Sequence, residues 1–122
     1  MKNPGETMKK IAVFAFQGEL MCFAHALLNV IDLKSKGYEV KLIIEGSATA
    51  LIEQLGKEGT PFAPLYAKVR SEGILAGVCR ACAGKMGSLA EAERQGIPCL
   101  GEMQGHPGFA TWLAEGYEII SM

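Results

Sequence analysis

The sequence predicts an α/β protein, a three-layer α/β/α sandwich built on a five-stranded and mainly parallel sheet. Short apolar runs alternate along the chain with segments whose apolar residues recur at helical spacing, and glycines fall mostly where these segments end. Apolar residues make up 49% of the 122 residues, enough for one core without cross-links. Strands that alternate with helices in this way are joined by right-handed crossovers into a parallel sheet covered on both faces.

Two strands and two helices are predicted in the first half of the chain. Lys10–Phe16 is a continuous apolar run, as expected of a central parallel strand. Leu20–Lys36 has apolar residues at helical spacing and a basic last turn, which Gly37 terminates. Tyr38–Ile44 is the second strand, and Thr49–Leu55 is a short helix.

The second half continues the alternation after two prolines. Leu65–Arg70 is predicted to form one or two helical turns. Further strands are predicted at Ile74–Cys79, Ile97–Leu100 and Tyr117–Met122, and further helices at Ala81–Gln95 and His106–Glu115. Since there is no internal repeat and no long linker, residues 1–122 are predicted to form one domain, with residues 1–8 as a flexible extension.

Charge and cysteine usage exclude several classes of function. The net charge of −1 comes from acids and bases mixed along the chain, without the basic stripe that nucleic-acid binding requires. No apolar run approaches the roughly 20 residues of a membrane span, and the amino terminus lacks a signal-peptide layout. Four cysteines are too few for a secreted disulfide scaffold, so we expect reduced thiols in a cytoplasmic protein. Phosphate-binding motifs are absent, and no cofactor is expected.

Ligands of open parallel sheets bind outside the carboxyl ends of the strands. This rule selects four segments, which are Gln17–Cys22, Glu45–Ser47, Cys79–Cys82 and Glu102–His106. Within them, we predict a pocket lined by Gln17, Gly18, Cys22 and Glu102.

The strongest local signal is the C-x-x-C motif of Cys79 and Cys82 at a predicted strand-to-helix junction. Unpaired N–H groups and the dipole of a helix start stabilise a thiolate, and Arg80 and Lys85 add positive charge nearby. We therefore predict Cys79 to be a nucleophile of lowered pKa, with Cys82 as a resolving thiol and the two basic residues as electrostatic support. The alternative is that both cysteines are small buried apolar side chains.

Three other side chains are candidates at this edge. His106 is predicted either to exchange a proton with a thiolate or to be a surface or capping histidine. Cys22 and His25 share a face of the first helix, where a resolving thiol or metal ligand is weighed against simple packing. A zinc site formed by Cys79, Cys82, His106 and Cys22 is an alternative, although the chain lacks a second C-x-x-C pair of the kind that structural zinc sites use.

The segment GVCRACAGKMG resembles a motif of the DsrE/DsrF-like family, whose members include the TusD-type sulfur-relay subunits. There, a strand that ends in cysteine leads into a helix of the form V-C-x-A-A-x-x-R-R-G. The matching residues are Val78, Cys79, Ala81 and Gly87, with Lys85 near the first basic position and Met86 in place of the second. The order of elements is also similar over Lys10–Met122.

This resemblance implies the three-layer fold, homo-oligomers that are trimers or hexamers, and sulfane sulfur carried as a persulfide on Cys79. It also implies partner proteins that donate and accept sulfur, and a role as a sulfurtransferase or sulfur-relay carrier. Cys82 departs from the family pattern, which has a small residue at this position. As a second thiol, Cys82 can attack a persulfide on Cys79, release sulfide and form a disulfide. The alternative is a non-catalytic module of the same fold that binds a small ligand or metal or serves in assembly.

Overall fold

A computed structural model describes residues 9–122 and contains five strands and six α-helices within that range. The strands are β1 (Lys10–Ala15), β2 (Glu39–Ile44), β3 (Leu75–Cys79), β4 (Cys99–Leu100) and β5 (Glu118–Ser121). The helices are α1 (Leu20–Ser35), α2 (Ile52–Leu55), α3 (Ala63–Ser71), α4 (Arg80–Lys85), α5 (Leu89–Arg94) and α6 (Phe109–Ala114), and a 3-10 segment covers Gly46–Leu51. The extension predicted for residues 1–8 lies outside the described residues.

All five strands are parallel and lie in the order β4-β3-β2-β1-β5. Helices α1 to α5 pack on one face, where the larger apolar core holds side chains such as Val13 and Leu42. Helix α6 covers the other face, where Trp112 packs against a smaller core that includes Phe14 and Tyr117. The predicted α/β/α sandwich with a five-stranded sheet is therefore confirmed, with two helical layers of unequal size.

Strand β1 and helix α1 follow their sequence patterns. The run Ile11–Ala15 is buried on both faces of the sheet, as expected of a central parallel strand. In α1, Phe23 and Leu27 are buried at helical spacing, and the Glu19 side chain accepts a hydrogen bond from the Met21 N–H at the start of the helix. Helix α1 has 16 residues, and within residues 9–122 no helix has the length and apolar character needed to cross a membrane.

The prediction of one helix over Ala81–Gln95 is wrong, because the structure divides this stretch into α4 and α5. Gly87 takes a left-handed conformation with a φ of 78°, which ends α4. The N–H of Ser88 then donates to the Ala83 carbonyl oxygen at 2.8 Å and closes the helix end. The small residues on both sides of the break suit a helix, so their pattern does not reveal it.

Three of the other predicted helices differ from the structure by more than one residue. The predicted short helix Thr49–Leu55 is a 3-10 segment followed by α2, and the predicted turns of Leu65–Arg70 extend to the 9 residues of α3. The last predicted helix, His106–Glu115, begins only at Phe109, because the residues before it form a hairpin turn.

Candidate metal centre

Four side chains meet at the edge of the sheet where β2 and β3 end. Glu45 directly follows β2, Cys79 ends β3, Cys82 lies in the first turn of α4, and His106 comes from the segment between β4 and α6. One donor atom from each residue, namely a carboxylate oxygen, two sulfurs and a ring nitrogen, lies within 4.8 Å of all the others. We call these four residues the Cys-His-Glu cluster.

The local fold of the C-x-x-C motif brings both sulfurs to the start of α4. Cys79 is the N-cap of that helix, and its Sγ accepts a hydrogen bond from the Cys82 backbone N–H at 3.4 Å. Cys79 is buried, whereas Cys82 is half-buried. The strand-to-helix junction predicted at these residues is therefore present.

A two-residue hairpin turn carries the histidine to the cysteines. Met103 and His106 exchange both backbone hydrogen bonds, at 2.8 and 3.0 Å, around Gln104 and Gly105, which both have positive φ. The Gly105 carbonyl oxygen accepts a hydrogen bond from the Ala81 N–H at 2.8 Å. This bond satisfies a donor that the first turn of a helix cannot satisfy internally, so the hairpin is held against the start of α4.

The imidazole consequently lies against both sulfurs. His106 Nδ1 is 3.1 Å from Cys79 Sγ and 3.7 Å from Cys82 Sγ. Glu102, which we predicted to line the pocket, is exposed, and its side chain accepts a hydrogen bond from the Gly108 N–H at 2.7 Å. Glu102 therefore holds the segment that carries the histidine.

Glu45 brings a buried carboxyl group into the cluster. The residue is 5% exposed, and its backbone N–H donates to the Ala15 carbonyl oxygen at 2.8 Å, which continues the pairing of β1 with β2. Burial raises the pKa of its carboxyl group, while the neighbouring Cys79 thiol and the charge of His106 lower it.

Burial also reverses the ionisation predicted for Cys79. Loss of water raises the pKa of its thiol to about 12, although the Cys82 N–H lowers it. Arg80 and Lys85 are not among the groups that shift this pKa, and the charge of Arg80 acts on Cys99 instead. The prediction of an accessible thiolate of lowered pKa at Cys79 is therefore wrong, and the residue is a buried neutral thiol at neutral pH.

The other residues predicted for the site lie around the cluster rather than in it. Gln17 and Cys22 are exposed, and Cys22 lies on α1 outside the group of donor atoms. Gly18 is pressed against Ser47, since an added Cβ would lie 2.7 Å from the Ser47 Oγ. Glu45 thus takes the position that the alternative zinc site assigned to Cys22. An acid directly after a buried strand is the sequence signal that could have identified it.

Two cavities adjoin the cluster. The larger has a volume of about 370 Å³ and is lined by Phe16, Glu45, Met103, His106, Pro107 and Phe109. The smaller has a volume of about 200 Å³ and is lined by Gly46, Ser47, Cys82, Lys85 and Met86. The larger, which we call the Phe109 cavity, opens on the oxygen and nitrogen side of the cluster, and the smaller opens on the Cys82 side.

The donor set fits a transition-metal ion such as Zn²⁺. Thiolate sulfur, imidazole nitrogen and carboxylate oxygen are all zinc ligands in proteins, and structural zinc takes four of them in a tetrahedron. Zinc bonds of about 2.0–2.3 Å keep such donor atoms roughly 3.3–3.8 Å apart. The two sulfur-to-imidazole distances in the cluster, 3.1 and 3.7 Å, already lie close to this range.

Comparison with known proteins finds a relative that matches most of the chain. No family model matches. The protein named Uncharacterized protein MJ0733, from Methanocaldococcus jannaschii, is 32% identical over 106 residues, which cover 87% of this chain and 84% of that protein. The chain belongs to the MJ0733 family.

A second relative matches a shorter stretch. An uncharacterized protein of Archaeoglobus fulgidus is 51% identical over 43 residues, which are 35% of this chain and 70% of that protein. No solved structure matches. Neither relative's name states an activity, so the function of the MJ0733 family must be argued from the chemistry of its site. The resemblance to the DsrE/DsrF-like family stays a prediction.

Proposed function

We propose that the protein binds one transition-metal ion, with Zn²⁺ as the expected ion, through Glu45, Cys79, Cys82 and His106. The observation that carries the proposal is that one donor atom from each of the four residues lies within 4.8 Å of the other three. Two sulfurs and an imidazole favour zinc over magnesium or calcium, which take oxygen ligands. The ion's charge would also favour the thiolate form of the buried Cys79, which burial alone opposes.

The positioning of the ligands supports this proposal. Both cysteines are fixed by the start of α4, and His106 is fixed by a hairpin that is hydrogen-bonded to the same helix through Ala81. Glu45 is placed by β2, the neighbour of β3 in the sheet. Since the backbone already holds all four residues close together, little chain entropy is lost when the ion binds.

The test is a metal titration of purified chain stripped with a chelator. Competition between the protein and a chromophoric chelator should give one Zn²⁺ per chain, and Co²⁺ should give the near-ultraviolet charge-transfer absorption of thiolate ligands. We expect Cys79→Ser and His106→Ala each to weaken binding on the order of a hundredfold, because each removes one of four ligands.

Two residues on α1 provide matched controls. Cys22→Ser and His25→Ala make the same kinds of change at exposed positions outside the cluster, so metal affinity should stay at the wild-type value. Full zinc affinity in Cys79→Ser, or an equal loss in Cys22→Ser, would contradict the proposed site.

Persulfide handling by Cys79 and Cys82 is a second candidate, and the resemblance to the sulfur-relay family supports it. Half-buried Cys82 lines the smaller cavity together with Lys85, which favours Cys82 as the first thiol to meet a sulfur donor. Its thiolate would attack the terminal sulfur of a polysulfide, giving a Cys82 persulfide and a polysulfide one sulfur shorter. Cys79, after its thiol has lost a proton to solvent, would attack the inner sulfur, form a disulfide and release hydrosulfide. The two cysteines would then have the reverse of the roles predicted from the sequence.

Intact-mass measurement after incubation with polysulfide tests this second candidate. On the metal-free protein we expect a Cys79–Cys82 disulfide in the wild type, a retained added sulfur in Cys79→Ser and no added sulfur in Cys82→Ser. The zinc-loaded protein should react little in each case. Cys99→Ser is the control, since Cys99 packs with the apolar core on β4. Equal loading of the wild-type protein and both cluster variants would refute sulfur transfer through this pair. Sulfur-donating partners and a homo-oligomer belong to this candidate.

A further inference from the structure

We infer that the proposed metal ion has one exchangeable coordination position, at Glu45, which takes a small apolar thiol from the Phe109 cavity. The inference rests on the proposed metal site and adds a class of ligand to it. It depends on three observations: the lining of the cavity, the way each ligand is held, and the softness of the donor set.

The Phe109 cavity reaches the cluster from one side. Two of its lining residues, Glu45 and His106, belong to the cluster, whereas neither cysteine lines it. The other four lining residues are apolar, namely Phe16, Met103, Pro107 and Phe109. Its volume of about 370 Å³ lies in the range of small-molecule pockets, which is roughly 300–1,000 Å³. A molecule in this cavity would therefore approach the ion past Glu45.

Glu45 is the ligand with the weakest hold of its own. Cys79 receives a hydrogen bond from the Cys82 N–H, and the backbone of His106 is tied to Met103 by two hydrogen bonds. The hydrogen-bond contacts of the Cys79 sulfur are with Gly105, His106 and Cys82, and among the described residues none reaches the Glu45 carboxyl group. Zinc sites that bind substrate have three protein ligands and a fourth position that substrate can take, and Glu45 occupies the position that corresponds to the fourth.

The lining of the cavity and the ligand set select a thiol. An ion that already has two sulfur ligands prefers another soft donor, and an apolar cavity disfavours a hydrated carboxylate or phosphate. When the thiol binds, its S–H bond breaks and a sulfur–metal bond forms. The metal–oxygen bond to Glu45 breaks, and the proton leaves to solvent. No atom changes its oxidation state.

The inference is tested by adding benzenethiol or phenol to the Co²⁺-loaded full chain. The two molecules have the same aromatic ring and differ in the donor atom, which is sulfur in one and oxygen in the other. Benzenethiol should add a saturable sulfur-to-cobalt charge-transfer band while the cobalt remains bound through gel filtration. Phenol at the same concentrations should leave the spectrum unchanged, because its oxygen is a harder and weaker ligand for this site.

Two variants of α6 separate binding in the cavity from general effects. Phe109 lines the cavity and is 44% exposed, whereas Leu113, one turn later and 56% exposed, does not line it. Phe109→Ala should weaken benzenethiol binding about tenfold, the loss expected for one aromatic contact. Leu113→Ala should leave it unchanged, and both variants should keep the wild-type affinity for Co²⁺.

Each failure has a distinct meaning. If Co²⁺ binds with the expected stoichiometry but benzenethiol leaves its spectrum unchanged or strips the metal, the inference is wrong and the metal site stands. An equal response to phenol, or equal effects of Phe109→Ala and Leu113→Ala, also overturns it. Failure to bind Co²⁺ overturns the metal site and this inference together.

Discussion

Two opposing effects act on the ionisation of the Cys79 thiol. The start of α4 donates an N–H to its sulfur, as the sequence predicts, and this lowers the pKa. Burial raises the same pKa from 9.0 to about 12, and its effect is the larger. The hairpin that carries His106 lies against the Cys79 sulfur. This segment begins to contact the sulfur 26 residues further along the chain, and no local sequence pattern around residue 79 indicates the contact.

Tyr66 illustrates the same effect of burial at a residue far from the cluster. The side chain is buried, its hydroxyl donates to Gln95 Oε1 at 2.7 Å, and burial raises its pKa above the ordinary 10.0. Above about pH 10 the unfolded chain loses this proton while the folded chain keeps it, so the free energy of unfolding falls as pH rises.

We therefore predict that Tyr66→Phe costs about 1 kcal/mol at neutral pH through the lost hydrogen bond. The difference between wild type and variant should shrink as pH rises above about 10, the ordinary pKa that the unfolded chain retains, because the variant lacks the titrating group. Chemical denaturation at several pH values measures both quantities. A difference that is constant or grows above this pH would show that the buried hydroxyl does not set the alkaline stability.

At the scale of secondary-structure elements, the hairpin between β4 and α6 decides whether the cluster forms. Its turn uses Gln104 and Gly105 with φ values of 51° and 94°. An added Cβ at Gly105 would lie 3.2 Å from the Ala81 Cβ, where the hairpin meets α4. Gly37, at the end of α1, has a φ of 92° but nothing within 4 Å of an added Cβ.

This pair of glycines gives a controlled prediction. Gly105→Ala and Gly37→Ala impose similar backbone strain of roughly 1–2 kcal/mol, so both should lower the free energy of unfolding by similar amounts. Only Gly105→Ala disturbs the contact with α4, and it should weaken Zn²⁺ binding about tenfold, as the loss of a supporting contact does. Chelator competition and denaturation on both variants provide the measurement. Equal zinc affinity in the two would mean that the hairpin does not position His106.

Element boundaries were harder to predict than the elements themselves. Gly87 can be read from the sequence as a helix stop, yet the small residues on both sides continue a helical pattern, and the sequence predicts α4 and α5 as one helix. It also predicts a helix from His106, because Pro107 suits a helix start, whereas α6 begins at Phe109. At the hairpin, the hydrogen bond between Ala81 and Gly105 joins segments that are distant in the sequence, and no local pattern indicates it.

For the whole molecule, the sequence predicts all five strands in order, because each strand lies within an apolar run of its own. The order of strands within the sheet follows from tertiary packing and has no local signal. Ile44 pairs with Val78, so the next residues, Glu45 and Cys79, become neighbours across the sheet. Cys22 follows the neighbouring strand β1 but lies a turn into α1, which explains why it is not part of the cluster.

The distances along the chain between the four proposed ligands have a consequence for protein synthesis. As the chain leaves the ribosome, Cys79 and Cys82 emerge before His106. Strand β1 can complete its pairing only after β5 has also emerged. Under the proposed function, a nascent chain thus offers Glu45, Cys79 and Cys82 before it offers His106, the fourth ligand. An ion acquired that early would be held by three of its four ligands, and secure retention would come only to chains that have finished folding.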